Sequence, residues 1–153
     1  MAEYKLTQEI IELSVSESWD AAKLEWKLFE IYEVDEPERC LCGHFPIKEV
    51  CVLENTKNDK HATVGNCCVK KFIGLPSDKI FQAIKRVRKD NEKSLNAEAI
   101  EHAREKSWIN SWEKDFYLDV MRKQKRTLSA KQLAKKIQIN KKLARNMKKQ
   151  IND

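Results

Sequence analysis

Glycine and proline are scarce in this chain, with three of each among 153 residues. So few turn-forming residues indicate a helix-rich fold with short connections. Three glycines also leave no glycine-rich loop of the kind that cradles a phosphate, which argues against a P-loop enzyme. Long apolar runs are missing too. None approaches the roughly 20 residues that a helix needs to cross a bilayer, so the sequence predicts no membrane partner.

A secretory signal is also missing, because no apolar segment follows the first five residues. We therefore expect a cytoplasmic protein, whose thiols stay reduced. Charged residues make up 35% of the chain and hydrophobic residues 41%, which is typical of a globular protein. We predict a single domain, 1–153, mainly α with one small β-hairpin (α+β).

Charge is distributed unevenly along the chain, whose net charge is +6. Residues 1–39 carry 11 acidic and 4 basic side chains, whereas residues 121–153 carry 12 basic side chains and 1 acidic one. The region between them is close to balance. A basic segment of this kind is typical of proteins that bind a polyanion.

Hydrophobic periodicity predicts most of the helices. A capping box at Ser14–Glu17 precedes four apolar residues at helical spacing, which predicts a helix to about Val34 that ends at Pro37. These four residues are Trp19, Ala22, Trp26 and Phe29. Further helices are predicted to begin after caps at Ser77, Asn96 and Ser129. The four tryptophans, including Trp108 and Trp112, are assigned to the core, and His102 is assigned to the surface.

A β-hairpin is predicted in the middle of the chain. Residues 49–53 and 61–64 are β-prone and flank turn-forming residues at 56–59. Asn66 is a predicted cap for a short helix over 67–72, which Gly74 can end.

All five cysteines lie in one segment, from Cys40 to Cys68. In a reducing compartment, clustered Cys and His residues bind a metal more often than they form disulfides. The order of elements, a Cys-Leu-Cys-Gly turn, a hairpin and a helix start, is that of a treble-clef-like zinc finger. Cys40 and Cys42 can point at one centre because Gly43 permits unusual backbone angles. A helix start favours a thiolate, and Zn²⁺ takes four such ligands.

The remaining ligands have several candidates. Cys67 and Cys68 are adjacent, so only one of them is expected to bind the metal. The fourth ligand is then His44, Cys51 or His61. The alternative to metal binding is that these cysteines are buried in the hydrophobic core. A redox pair at 67–68 is less favoured, because a vicinal disulfide is strained.

The sequence resembles a family of small bacterial and phage or mobile-element proteins. The motifs that carry the resemblance are WDAAKLEW (19–26), CLCGHFPI (40–47), Asn55, VGNCCVKKF (64–72) and LSAKQ (128–132). The resemblance implies a zinc finger and no particular activity. It favours Cys68 over Cys67 and His44 as the remaining ligand. The implied structural Zn²⁺ site is therefore Cys40, Cys42, His44 and Cys68. Within the single domain we distinguish an acidic helical region (1–39), a zinc-binding hairpin module (40–74) and a helical region with a basic C-terminal helix (75–153).

The basic C-terminal helix suggests a nucleic-acid partner, DNA or RNA, bound through its phosphates with little sequence preference. The predicted contacts are Lys123, Lys125, Arg126, Lys131, Lys135, Lys142, Arg145 and Lys149. The alternative is a phage or mobile-element interaction factor, an inhibitor or adaptor of a host protein, with zinc as a structural staple. No nucleophile–base pair is readable, so an enzyme, such as a treble-clef nuclease, is disfavoured. The sequence leaves the oligomeric state open.

Overall fold

A computed structural model of the protein describes residues 2–148, with side chains from residue 4 onward. Seven α-helices and one three-stranded antiparallel sheet occur in this part of the chain, which confirms the α+β class. The chain forms two compact units, Met1–Asp78 (unit 1) and Lys79–Asp153 (unit 2). Between residues 2 and 148, every helix is too short or too polar to cross a lipid bilayer.

Unit 1 contains the sheet, in the order β1-β2-β3. The predicted hairpin is confirmed, because β2 and β3 pair antiparallel with Cys51 opposite Val64. A third strand, β1, extends the sheet on the other side of β2. The elements are α1 (Ala2–Leu13), α2 (Trp19–Ala22), β1 (Trp26–Glu38), β2 (Ile47–Asn55), β3 (His61–Gly65) and α3 (Asn66–Cys68), which continues as a π-helical turn (Val69–Ile73).

The helix predicted to reach Val34 is wrong, because α2 ends at Ala22 and β1 begins at Trp26. The pairing of β1 with β2 shifts register between Leu28 and Glu30, so the strand carries a bulge. The register shifts again between Glu33 and Glu38, and Trp26, Ile31 and Val34 are buried at spacings of five and three rather than two. This irregular spacing imitates a helical face. The aromatic and β-branched composition of the segment favours a strand.

The predicted capping box at Ser14 is also absent, since Ser14 Oγ accepts a 2.8 Å hydrogen bond from the indole N–H of Trp26. The backbone N–H groups of Val15 and Ser16 donate instead to the Glu25 carboxylate, at 2.8 Å each, and Asn55 Nδ2 donates to it at 2.9 Å. Hydrogen bonds from Ser16 and Asn55 lower the pKa of Glu25 to about 2. A buried carboxylate thus fixes the point where α2 gives way to β1.

Unit 2 is helical. Asn96 caps α5 and Ser129 forms a capping box with Gln132 at the start of α7, both as predicted. The predicted cap at Ser77 is wrong, because Ser77 is the first residue of α4 and its hydroxyl donates to Asn66. A further capping box, which the sequence reading missed, joins Asn110 and Glu113 at the start of α6. The elements are α4 (Ser77–Lys89, whose first two residues belong to unit 1), α5 (Ala97–Glu105), α6 (Ser111–Val120) and α7 (Ala130–Asn146).

The buried face of α7 differs from the predicted apolar seam. Helical spacing in the sequence predicts a seam of Leu133, Ile137, Ala144, Met147 and Ile151, with Leu143 at one edge. Met147 and Leu143 are buried as predicted, whereas Leu133, Ile137 and Ala144 are only partly buried, and Ile151 lies outside the described residues. Two polar residues, Lys136 and Asn140, belong to the observed face because both have hydrogen-bond partners. Asn140 accepts a 2.5 Å hydrogen bond from the Tyr117 hydroxyl and donates to two backbone carbonyls. The Lys136 ammonium donates to the Glu92 carbonyl. The face consists of Lys136, Ile139, Asn140, Leu143 and Met147.

Two further assignments in unit 2 are wrong. His102 is buried, with its ring edge against Trp108 at 5.4 Å between centroids. Trp112, which was assigned to the core, is 62% exposed. Its ring stacks on Phe116 at 5.4 Å between centroids, and the Lys135 ammonium lies 5.7 Å from its centroid. The apolar positions of α6 therefore do not all face the core.

Candidate metal centre and basic surface

The Cys-Leu-Cys-Gly segment forms a tight turn between β1 and β2. The N–H of Gly43 donates to the Cys40 carbonyl at 2.8 Å, and the N–H of Cys40 donates to the His44 carbonyl at 3.0 Å. Gly43 has φ +93°, which L side chains rarely adopt, so its predicted role is confirmed. The N–H of Leu41 donates to the Thr63 carbonyl at 3.0 Å and ties the turn to β3.

The turn and the start of α3 bring three thiols together. Cys40 and Cys42 are buried and Cys68 is partly buried. Their sulfur atoms all lie within 4.8 Å of one another, and the Cys42 and Cys68 sulfurs are 3.6 Å apart. A Zn–S distance of about 2.3 Å places tetrahedral sulfur ligands about 3.8 Å apart. The three cysteines carry no disulfide and fit a metal ion.

Backbone N–H groups point at two of these sulfurs. Gly65 N–H donates to Cys40 Sγ at 3.2 Å, and His44 N–H donates to Cys42 Sγ at 3.4 Å. Burial raises the pKa of Cys40 and of Cys68. Burial acts in the same direction on Cys42, but the His44 N–H and the neighbouring thiols outweigh it and lower the pKa of that residue. Cys42 is therefore the thiol that most readily becomes a thiolate, the form that binds metals.

A buried hydrogen-bond network supports the start of α3. The residue that caps this helix is Gly65, so the prediction that Asn66 caps it is wrong. Asn66 accepts a 2.6 Å hydrogen bond from Ser77 Oγ, and its Nδ2 donates to Glu49 at 3.3 Å and to Asp78 at 3.1 Å. The network joins β2 and the start of α4 to the turn of helix that carries Cys68.

The other candidate ligands lie outside the cluster of three thiols. His44 is exposed, although it lines the same pocket of about 590 Å³ as the three cysteines. Cys67 lines this pocket too, and it is exposed. Cys51 is fully buried on β2, and His61 lies 3.0 Å from Glu54 at the start of β3. Of the three residues proposed as the fourth ligand, only His44 borders the pocket.

The predicted nucleic-acid contacts are spread over α7 and the segment before it. Most are exposed, but several bind carboxylates. Lys123 lies 3.4 Å from Asp119, and Lys125 pairs with Glu92. The exposed members of the predicted set are Lys123, Lys125, Arg126, Lys131 and Arg145, and Lys149 lies outside the described residues.

Lys135 and Lys142 differ from the other predicted contacts. Both approach the same oxygen of the buried Glu113, at 3.1 and 3.2 Å, and their side chains are only 28% and 27% exposed. Because Glu113 also belongs to the capping box of α6, these two lysines fasten α7 to α6. Helical spacing places both lysines opposite the predicted apolar seam and so predicts that they face solvent. The structure shows that this prediction is wrong, because both lysines form ion pairs with a buried carboxylate.

Comparisons with protein-family models, with curated proteins and with solved structures find no match for this chain. The family resemblance therefore stays a prediction.

Proposed function

We propose that this is a nucleic-acid-binding protein that contacts the phosphate backbone with little sequence preference and is stabilised by one structural Zn²⁺. The observation that supports zinc is the cluster of Cys40, Cys42 and Cys68 on a turn–hairpin–helix arrangement. Three thiolates are soft ligands that suit Zn²⁺ in a tetrahedral site. We further propose His44 as the fourth ligand, reached by rotation of its exposed side chain, and a treble-clef-like module as the fold around the metal.

The proposed role of zinc is structural rather than catalytic. Four protein ligands close the metal site and leave no position for a reactive water. The metal would join the turn after β1 to the start of α3, elements that lie far apart in the sequence. Binding free energy then contributes directly to folding of the module.

The nucleic-acid proposal is supported by the basic surface of unit 2. No acidic residue occurs from 121 to 148, and many of the basic side chains in this range are exposed. Each lysine or arginine that meets a phosphate releases counterions and adds affinity. Arg126, Lys131 and Arg145 are exposed members of the predicted set that lie outside the ion pairs described above.

Salt-dependent binding to random oligonucleotides tests the proposal. We expect binding at low salt, falling on duplex DNA with a log–log slope of about −0.9 per phosphate contacted. The triple variant Arg126→Gln, Lys131→Gln, Arg145→Gln is expected to flatten that slope for all sequences alike. A matched control, the triple variant Lys48→Gln, Lys57→Gln, Lys60→Gln, removes three exposed lysines of unit 1. The proposal fails if wild-type protein binds no oligonucleotide at low salt.

A second candidate function, a protein-interaction factor, is favoured by the exposed Trp112 stacked on Phe116. Exposed aromatic residues are enriched at protein interfaces. The same experiment separates the two functions. Absence of oligonucleotide binding at low salt, together with loss of partner capture in Trp112→Ala, would favour the interaction factor.

A further inference from the structure

Unit 2 contains a pocket of about 490 Å³ between the segment that follows α4 and the segment that follows α6. Five basic side chains and two acidic ones line it. The basic ones are Arg86, Lys93, Lys123, Lys125 and Lys136. The excess of positive charge in a concave site attracts anions more strongly than the same charges do on a flat surface.

The acidic side chains of the pocket, Asp90 and Glu92, are already engaged. Glu92 pairs with Lys125, and Asp90 Oδ1 accepts a 3.1 Å hydrogen bond from the N–H of Glu92. Lys123 has its own carboxylate, Asp119, outside the pocket. Three basic residues of the pocket remain: Arg86, Lys93 and Lys136. Within the described part of the chain, none of them forms an ion pair with a carboxylate.

Lys136 is the least expected of these three. It is only 3% exposed, and its ammonium donates to the Glu92 carbonyl at 3.2 Å. A nearly buried ammonium is unfavourable unless it is paired. Burial lowers its pKa, and the nearby Glu92 carboxylate acts against that shift. Arg86 uses its Nε–H on the Ser94 carbonyl at 2.9 Å, and Lys93 is exposed at the rim.

We propose that this pocket binds a phosphate group through Lys136, Lys93 and Arg86. A phosphate offers the several acceptor oxygens and the negative charge that this cluster requires. The inference rests on the proposed function in taking the backbone of a nucleic acid as the source of the phosphate. Inorganic phosphate and pyrophosphate share the same chemistry, so they serve as probes that do not depend on the proposed function.

Binding of pyrophosphate and of a fluorescent single-stranded oligonucleotide to the full chain tests the proposal. Lys93→Gln changes an exposed residue, so we expect the fold to be unaffected. Lys136→Met replaces a buried ammonium by an apolar side chain of similar length. Each variant is expected to weaken pyrophosphate binding roughly tenfold, as loss of one charge-assisted hydrogen bond does. The control is Lys79→Gln, a lysine with 68% side-chain exposure that lies outside the pocket.

The outcomes separate this inference from the proposed function. In one outcome, pyrophosphate binding depends on Lys93 and Lys136 and the protein binds no oligonucleotide. This outcome supports a phosphate site in the pocket and contradicts a nucleic acid as the source of the phosphate. In a second outcome, both variants bind the oligonucleotide as the wild type does, and the wild type does not bind pyrophosphate at millimolar concentration. This outcome contradicts the phosphate site in the pocket and leaves the proposed function standing. Equal losses of pyrophosphate affinity in both variants and in Lys79→Gln would show that only the net charge of the protein matters. That result would also contradict a phosphate site in the pocket.

Discussion

The hydroxyl of Ser77 donates a 2.6 Å hydrogen bond to Oδ1 of Asn66, and both residues are buried. Asn66 is the first residue of α3, whose third residue is Cys68. The hydrogen bond therefore fixes the helix start from which one candidate metal ligand projects. A contact 11 residues apart in sequence thus supports the geometry of the thiol cluster.

Ser77→Ala is expected to lower the free energy of unfolding by about 1–3 kcal/mol, because a buried amide oxygen loses its donor. Chemical denaturation measures this loss. A double-mutant cycle with Asn66→Ala then tests the pairing. A coupling free energy above about 0.5 kcal/mol is expected for residues in direct contact. Simple additivity of the two single effects would show that the hydrogen bond does not link these residues.

The adjacent cysteines of α3 allow a matched comparison. Cys68 belongs to the thiol cluster, whereas Cys67 is exposed and lies outside it. Cys68→Ser is expected to abolish stoichiometric zinc and to lower the melting temperature, since metal affinity contributes to folding. Cys67→Ser is expected to keep one zinc per chain and the wild-type melting temperature. Metal analysis of protein purified without chelator checks both variants, and the reverse pattern would assign the ligand to Cys67.

Charge reversal on α7 is expected to have position-dependent effects. Lys142→Glu places a second carboxylate beside the buried Glu113 and removes an ion pair, so the free energy of unfolding should fall by about 1–3 kcal/mol. Lys131→Glu reverses the same charge at an exposed site in the first turn of the helix. Its effect should stay within about 0.5 kcal/mol. Thermal unfolding of the two variants in parallel measures the contrast, and equal losses would contradict the structural role of Glu113.

His102 predicts a loss of stability in mild acid. Burial, with a smaller contribution from Lys106, lowers the pKa of His102 from 6.5 to about 4. Between these values the unfolded chain binds a proton that the folded protein excludes. The contribution of neutral His102 to the free energy of unfolding is therefore complete above pH 6.5. It falls by up to about 3 kcal/mol as the pH drops to 4.

His102→Phe should remove this slope. His102 Nε2 has no hydrogen-bond partner among the described residues, so an aromatic ring without nitrogen leaves no donor or acceptor unpaired. The difference in unfolding free energy between wild type and variant, measured from pH 7 to pH 4.5, isolates this residue from acid effects that both proteins share. A constant difference across that range would show that His102 is not buried in its neutral form.

Local sequence determines several features of this protein. The hairpin of β2 and β3 follows from two β-prone runs around a turn, and the caps at Asn96 and Ser129 follow from side chains that bond within one helical turn. Gly43 and Gly74 both take positive φ, as a tight turn and a helix end require. These features depend on interactions between residues that are close in the chain, so the local sequence is enough to predict them.

The candidate ligands were partly predictable for the same reason. Cys40 and Cys42 share one turn, and a turn–hairpin–helix order returns the chain to it at Cys68. The choice between His44, Cys51 and His61 depends on side-chain directions that spacing does not fix. In the fold, Cys51 and His61 both lie outside the cluster of three thiols, and His61 lies 3.0 Å from Glu54.

Tertiary structure alone decided the features that depend on distant partners. The register shifts after Leu28 and after Glu33 belong to the pairing of β1 with β2, and they break the alternation of buried residues that would reveal a strand. Lys136 and Asn140 face inward on α7 because Glu92, Asn91, Lys93 and Tyr117 supply their hydrogen bonds. Periodicity assigns polar residues to the solvent, since it contains no information about a partner elsewhere in the chain. A polar side chain is buried when the free energy of its hydrogen bonds offsets its desolvation, and only the folded chain brings those partners together.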